Sequence, residues 1–175
     1  MKLTTLISTL LFAALSTNIL GAAQTEFEQT ITRNLIRVED GSPKAVAPAE
    51  LGSKDYYAIY YSAHWCPPCR RFTPKLVQFY DEQSAKHDNF EIIFVSSDKN
   101  EDAMLEYMVG TKMNWPALEY SRKKSSKELT KYCGSGIPCL VLVDNEGKVL
   151  ADSFVAGKYV GPTKVMESLR EKLEQ

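Results

Sequence analysis

The stretch Tyr56-Tyr57-Ala58-Ile59-Tyr60-Tyr61-Ser62, followed at once by Ala63-His64-Trp65-Cys66-Pro67-Pro68-Cys69-Arg70-Arg71-Phe72-Thr73-Pro74-Lys75-Leu76, decides the fold. Its first seven residues are aromatic and β-branched and too few for a helix, so they read as a buried strand. A helix follows. Pro67 and Pro68 sit where a first helical turn has no N–H partners to lose, and Phe72, Leu76, Phe79 and Tyr80 then fall on one face. Pro74 inside that face predicts a kink.

Two cysteines separated by two residues at such a strand-to-helix junction place both sulfurs on one side of the helix start, within reach of a disulfide. The partial positive charge and free N–H groups of the helix N-terminus stabilise a thiolate. Cys66 is therefore the expected nucleophile, and Cys69, one turn further in, the more buried resolving thiol. Two structural alternatives stand beside this reading: a zinc site of Cys66, Cys69, Cys133 and Cys139, and an inert disulfide. The C-x5-C spacing of the second pair departs from the short repeat common in zinc ribbons. Cys133 and Cys139 are open to three readings: a structural disulfide, two separate buried thiols, or exchange with Cys66.

Working outward, Glu91–Val95 is a second strand, and Asp98 with Glu101 resembles a capping pair opening a helix that carries Met104, Leu105 and Met108 and ends near Gly110. A polar helix is expected from about Lys124 to Tyr132. Leu140–Val143 is fully apolar and reads as a central strand, joined across Asn145-Glu146-Gly147 to an antiparallel Val149–Phe154. A last helix opens near Pro162, with Val165, Leu169 and Leu173 four residues apart. Upstream, Phe27–Val38 reads as an amphipathic lead closed by the turn Glu39-Asp40-Gly41-Ser42-Pro43. The order is β-α-β-α-α-β-β-α, an α/β fold with a mixed sheet and helices on both faces.

The segment Tyr61–Leu76 resembles the active-site segment of the tryparedoxin and nucleoredoxin branch of the thioredoxin superfamily, with Phe72-Thr73-Pro74 as its branch-specific part. The likeness continues through Phe94-Val95-Ser96-Ser97-Asp98, Trp115-Pro116-Ala117 and Gly136-Ile137-Pro138, covering most of residues 34 to 175. The resemblance implies a thioredoxin-like fold, Cys66 as nucleophile and Cys69 as resolving thiol, Trp65 as a flanking wall, and Pro138 as a cis proline facing the cysteine pair. Independently, a proline opening a central strand cannot donate to the ladder and needs a special geometry. A cis bond there would expose the Ile137 backbone for strand-like pairing with a substrate segment beside Cys66. Pro67 and Pro68, the dipeptide between the cysteines, and local charges tune the reduction potential.

The chain departs from many thioredoxins in carrying Tyr60 where they have a buried acid, which leaves the proton acceptor for Cys69 unassigned. His64 and Arg70 are candidates to depress the thiolate pKa, against the plainer reading of solvated side chains.

Composition narrows the functions further. Of 175 residues, 44% are hydrophobic and 25% charged, and 21 Lys+Arg stand against 22 Asp+Glu, a net charge of -1. That balance gives no positive field for nucleic acid, and four cysteines are too few for a disulfide-built mini-protein. Residues 1–23 hold one charge, Lys2, an apolar run and small residues at Gly21, Ala22 and Ala23, the plan of a secretory signal peptide. The expectation is export, to the periplasm if bacterial and otherwise to the secretory lumen or outside, with 24–175 as one thioredoxin-like domain and no stable membrane insertion. The function expected is a monomeric thiol-disulfide oxidoreductase acting on protein disulfides, fed by an upstream redox partner, with no bound cofactor and no metal. Its rivals are a thioredoxin-fold binding or chaperone module without turnover, and a dedicated reductant in cytochrome c maturation.

Overall fold

The computed structural model describes residues 24–175. The segment read as a signal peptide lies outside them. The elements run α1 (Glu26–Ile31), β1 (Leu35–Glu39), β2 (Ser42–Val46), α2 (Pro48–Leu51), β3 (Tyr56–Ser62), α3 (Pro67–Ser84), β4 (Phe90–Ser96), α4 (Glu101–Thr111) and β5 (Ala117–Leu118). A 3-10 turn at Tyr120–Arg122 leads to α5 (Lys127–Thr130), β6 (Cys139–Asp144), β7 (Val149–Asp152), β8 (Phe154–Val155), β9 (Lys158–Tyr159) and α6 (Thr163–Leu173).

Seven strands form one mixed sheet in the order β2-β1-β5-β4-β3-β6-β7. β3 lies parallel to β4 and antiparallel to β6, in register from Tyr56 opposite Asp144 to Tyr61 opposite Cys139. It is therefore central, and its near-continuous apolar sequence follows from burial on both faces. Ala58 and Tyr60 join Phe72, Leu76 and Phe79 of α3, Met104, Tyr107 and Met108 of α4, and Val165 and Leu169 of α6 in one core layer. Tyr57, Ile59 and Tyr61 face the other layer, with Ile31 of α1, Leu51 of α2 and Leu129 of α5. Long helices thus cover one face and short ones the other.

The tyrosines of β3 do more than fill space. A buried phenol needs a partner for its hydroxyl. Each of these three finds one on a different helix: Tyr57 donates to Glu28 of α1 at 2.9 Å, Tyr60 meets Thr73 of α3 at 2.8 Å, and Tyr61 donates to the Leu129 carbonyl of α5. The central strand is tied to both layers through its side chains. Glu28, fully buried, also accepts from the Thr25 and Lys54 N–H groups and from the Ser53 hydroxyl. Burial alone would raise its carboxyl, but these donors outweigh it and hold the pKa below the ordinary value.

Several sequence expectations need correction. The amphipathic lead is not one element: α1 ends at Ile31, and Leu35–Glu39 pairs antiparallel with Ser42–Val46 around Asp40 and Gly41. Both turn residues have positive φ, 50° and 76°, the geometry of a two-residue hairpin turn. Pro74 lies inside α3, which runs 18 residues through it. α4 is capped by Asn100, whose side chain accepts from the Ala103 N–H, rather than by Asp98. It runs past Gly110 to a left-handed Lys112. The polar helix shrinks to Lys127–Thr130, and Val149–Phe154 is broken at Ser153, so that Phe154–Val155 turns away into a separate hairpin with Lys158–Tyr159.

Candidate active site

β3 ends at Ser62 and α3 begins at Pro67, so the four residues between them lie at the C-terminal edge of the central strand and the start of a long helix. Cys66 is the N-cap of that helix, with extended backbone (φ -90°, ψ 108°) and its Sγ accepting from the Cys69 N–H at 3.3 Å. A sulfur in that position sits on free N–H groups at the positive end of the helix dipole, which favours the thiolate once the pair is reduced. Cys66 and Cys69 are joined by a disulfide, with their Cα atoms 5.2 Å apart. Cys69 is completely buried and Cys66 is 4% exposed. Pro67 and Pro68, both exposed, occupy the first helical turn.

The opposite wall comes from the loop before β6. The Ile137–Pro138 peptide bond is cis, and the Ile137 carbonyl oxygen lies 3.8 Å from the Cys66 Sγ. Trp65, 55% exposed, donates its indole N–H to the Ser97 carbonyl at 3.1 Å, which holds the ring beside the cysteine. Between these walls runs an open groove of about 450 Å³ lined by Trp65, Cys66, Ser97, Gly134, Ser135, Gly136 and Ile137. The residues singled out from sequence converge on one place.

His64 and Arg70 part company. His64 stacks on Tyr107 with ring centroids 5.4 Å apart and planes 13° from parallel, and its backbone N–H donates to Asp98 at 2.8 Å. It is a packed side chain rather than a solvated one. Asp98 is buried and also accepts from the Ser96 hydroxyl, which explains why it is unavailable as the cap of α4. Arg70 is exposed on α3 and forms no ion pair among the described residues.

The position of Tyr60 reveals a feature that sequence reading missed. In place of a buried carboxylate there is a cluster of hydroxyls. Thr73 Oγ1 donates to the Cys69 carbonyl at 3.0 Å and bonds to the hydroxyls of Tyr60 and Tyr107, and Tyr107 meets the Ser62 hydroxyl at 3.1 Å. With Thr73 donating to Cys69, both tyrosines donate to Thr73, and Ser62 donates to Tyr107, so every proton has an acceptor. Burial, reinforced by the neighbouring Tyr107, pushes the Tyr60 hydroxyl far above the ordinary tyrosine range. Tyr60 is therefore a neutral phenol at physiological pH.

Cys133 and Cys139 are not paired: Cys133 is exposed and Cys139 buried. This removes the structural disulfide and corrects the reading of two buried thiols for Cys133. Desolvation raises both thiol pKa values, that of Cys139 to about 11. Among the described residues no group of three or more His, Cys, Asp or Glu side chains is placed to hold a metal, and no helix is long and apolar enough to cross a membrane.

A helix-capping cysteine bonded to its neighbour one turn in, at the edge of a mixed sheet and facing a proline loop, is an arrangement of the thioredoxin-like fold. Residues 53–149 match the family model described as thioredoxin-like, and the chain belongs to that family, in its tryparedoxin and nucleoredoxin branch. It is 41% identical over 96 residues to nucleoredoxin of Danio rerio, which covers 54% of this chain and 22% of that one. It is 40% identical over 87 residues to tryparedoxin of Trypanosoma brucei brucei, covering 49% and 58%. The chain thus spans about a fifth of the nucleoredoxins it matches. Among solved structures, a thioredoxin from Wuchereria bancrofti superposes with TM-score 0.59 at 35% identity, covering 79% of this chain and 94% of that one. Tryparedoxin II from C. fasciculata gives TM-score 0.62 at 28% identity, covering 82% and 89%.

These relatives correct one expectation. Nucleoredoxins and tryparedoxins are cytosolic or nuclear proteins, so the kinship of the domain points away from secretion into a periplasm or secretory lumen. An apolar run with a single lysine satisfies the composition of an export signal, but composition reports neither recognition nor cleavage.

Proposed function

We propose that residues 24–175 act as a single thiol-disulfide exchange domain in which Cys66 attacks and Cys69 resolves. The reduced Cys66 thiolate attacks one sulfur of a protein disulfide, forming a mixed disulfide and releasing one substrate thiolate. Cys69, deprotonated, then attacks the Cys66 sulfur, closing the Cys66–Cys69 disulfide and releasing the second substrate thiol. Two electrons pass from the pair to the substrate, and an upstream dithiol restores them. The redox equivalents reside in the cysteines, so the reading needs no bound cofactor. In the reverse direction the disulfide oxidises a dithiol.

The observation that carries the assignment of roles is the cap. Cys66 opens on the groove and receives the Cys69 N–H, whereas Cys69 is sealed beneath it. The Ile137 carbonyl beside the Cys66 sulfur supports strand-like docking of an extended substrate segment along the loop, and Trp65 supplies the apolar wall.

The test uses Cys69→Ser, reduced and mixed with oxidised insulin. It should accumulate a covalent complex that dithiothreitol releases, because the mixed disulfide has lost its intramolecular exit. Cys66→Ser should neither trap nor reduce insulin. Equal trapping by both variants would reverse the roles, and a wild type that suppresses aggregation without reducing insulin would identify a binding module instead.

A further inference from the structure

The hairpin that follows the sheet has no part in the exchange just described, yet it is built against the loop that walls the groove. β8 and β9 pair Phe154 with Tyr159 and Val155 with Lys158 around Ala156 and Gly157, whose φ values of 48° and 78° make the turn tight. Three contacts join this hairpin to the segment Gly134–Leu140. At its base, Ser153 is fully buried: its hydroxyl donates to the Leu140 carbonyl at 2.9 Å and accepts from the Leu140 N–H at 2.8 Å. At its far strand, the Tyr159 hydroxyl donates to the Pro138 carbonyl at 2.8 Å. Between them the Phe154 ring lies so close to Gly134 that a methyl group on that glycine would overlap it, and it packs on the Tyr159 ring with centroids 5.1 Å apart.

We propose that Phe154 and Tyr159 are positioning residues for substrate docking: together they clamp the Gly134–Pro138 loop, fixing the Ile137 carbonyl beside Cys66. The loop has particular need of such a clamp. It contains Gly134 and Gly136 and carries no regular secondary structure of its own. Glycines leave many backbone states open. A substrate strand pairing with the Ile137 backbone must find that backbone already in place, or bear the cost of ordering it on binding. The aromatic pair removes that freedom beforehand. Ser153, which bonds Leu140 inside the sheet, anchors the hairpin rather than the loop. Among the described residues no hydrogen bond joins either aromatic side chain to Cys66 or Cys69, so the clamp acts on binding and not on the exchange step.

This proposal rests on the groove being the docking site, and the experiment separates the two. Tyr159→Phe keeps the ring and removes the donated hydrogen bond. With insulin as substrate and dithiothreitol as electron donor, KM should rise about fivefold, the factor for one hydrogen bond, with kcat unchanged. The rate at which dithiothreitol alone reduces the Cys66–Cys69 disulfide should also stay unchanged. Gly134→Ala, whose methyl group would collide with the Phe154 ring and displace the loop, should raise KM in the same way. Trp65→Ala reports on the groove itself. If Trp65→Ala raises KM while Tyr159→Phe and Gly134→Ala do not, the clamp is overturned and the docking site stands. If none of the three raises KM, the docking reading falls with it. A loss of kcat or of folded fraction at constant KM would show a merely structural hairpin and also overturn the proposal.

Discussion

Replacing Thr73 with valine tests the hydroxyl cluster beneath the cysteine pair. The two side chains have nearly the same shape, so no cavity opens, and the effect isolates hydrogen bonding. The Cys69 carbonyl keeps its helical partner, the N–H of residue 73. Tyr107 retains Ser62 at 3.1 Å. Tyr60 fares worst, because it loses its 2.8 Å bond to Thr73 where no water can take the place of the lost partner. An orphaned buried hydroxyl costs about 1–3 kcal/mol and each lost net bond about 1 kcal/mol, so Thr73→Val should destabilise by about 3 kcal/mol. For a domain of this size that lowers Tm by about 6–12 °C and the urea midpoint by about 1–2 M. Tyr60→Phe alone should cost about 1 kcal/mol. In the Thr73→Val background the same change deletes the orphan, so it should restore stability rather than remove more. Urea unfolding of the four proteins, followed by tyrosine and tryptophan fluorescence, reads the cycle. Equal costs of Tyr60→Phe in both backgrounds would refute the cluster as a coupled unit.

Glu28→Gln should lose stability at pH 7, and the gap to the wild type should close as pH falls. The carboxyl is held below its ordinary pKa in the folded state, so its contribution is present above the unfolded value of about 4.5 and vanishes on descending through the folded one. Urea midpoints at pH 7, 5 and 3 check this, and a constant gap would show that the charge is immaterial. With the Cys66–Cys69 disulfide intact, iodoacetamide at pH 8 should label Cys133 and spare Cys139, whose buried thiol has its pKa raised to about 11. Peptide mapping that finds Cys139 labelled first would contradict its burial.

Much of the site was legible because its chemistry is local. Cys66, Cys69 and the prolines between them fall within one helical turn, and a strand running into a proline-started helix needs no tertiary information to be read. β3, β4, β6 and α6 were equally plain, since continuous apolar runs and an i, i+4, i+8 pattern survive any context. The hairpin of β1 and β2 was written in Asp40-Gly41, but the apolar spacing from Phe27 to Val38 imitated one helix and hid the break at Asn34, whose φ is 60°. Asp98 looked like a cap because nothing in its neighbourhood shows that its carboxylate is committed to His64 and Ser96. The hydroxyl cluster draws on Tyr60, Thr73 and Tyr107 from three separate elements, and no spacing rule links residues 13 and 34 positions apart. The hairpin of β8 and β9 was hidden for the same reason: Tyr159 reaches back 21 residues to Pro138.

The outermost strand has a bearing on how the molecule keeps to itself in solution. β2 is the unpaired edge next to β1, and Ser42, Pro43, Lys44 and Ala45 within it are exposed. A free strand edge is an invitation to pair with a neighbouring copy and so to grow into ordered aggregates. Pro43 offers no N–H to such a ladder, and Lys44 would have to surrender its hydration to join one. The proposed docking of extended substrate segments beside Cys66 would gain from this. Backbone pairing is discouraged along the rim of the sheet and left open beside the reactive sulfur.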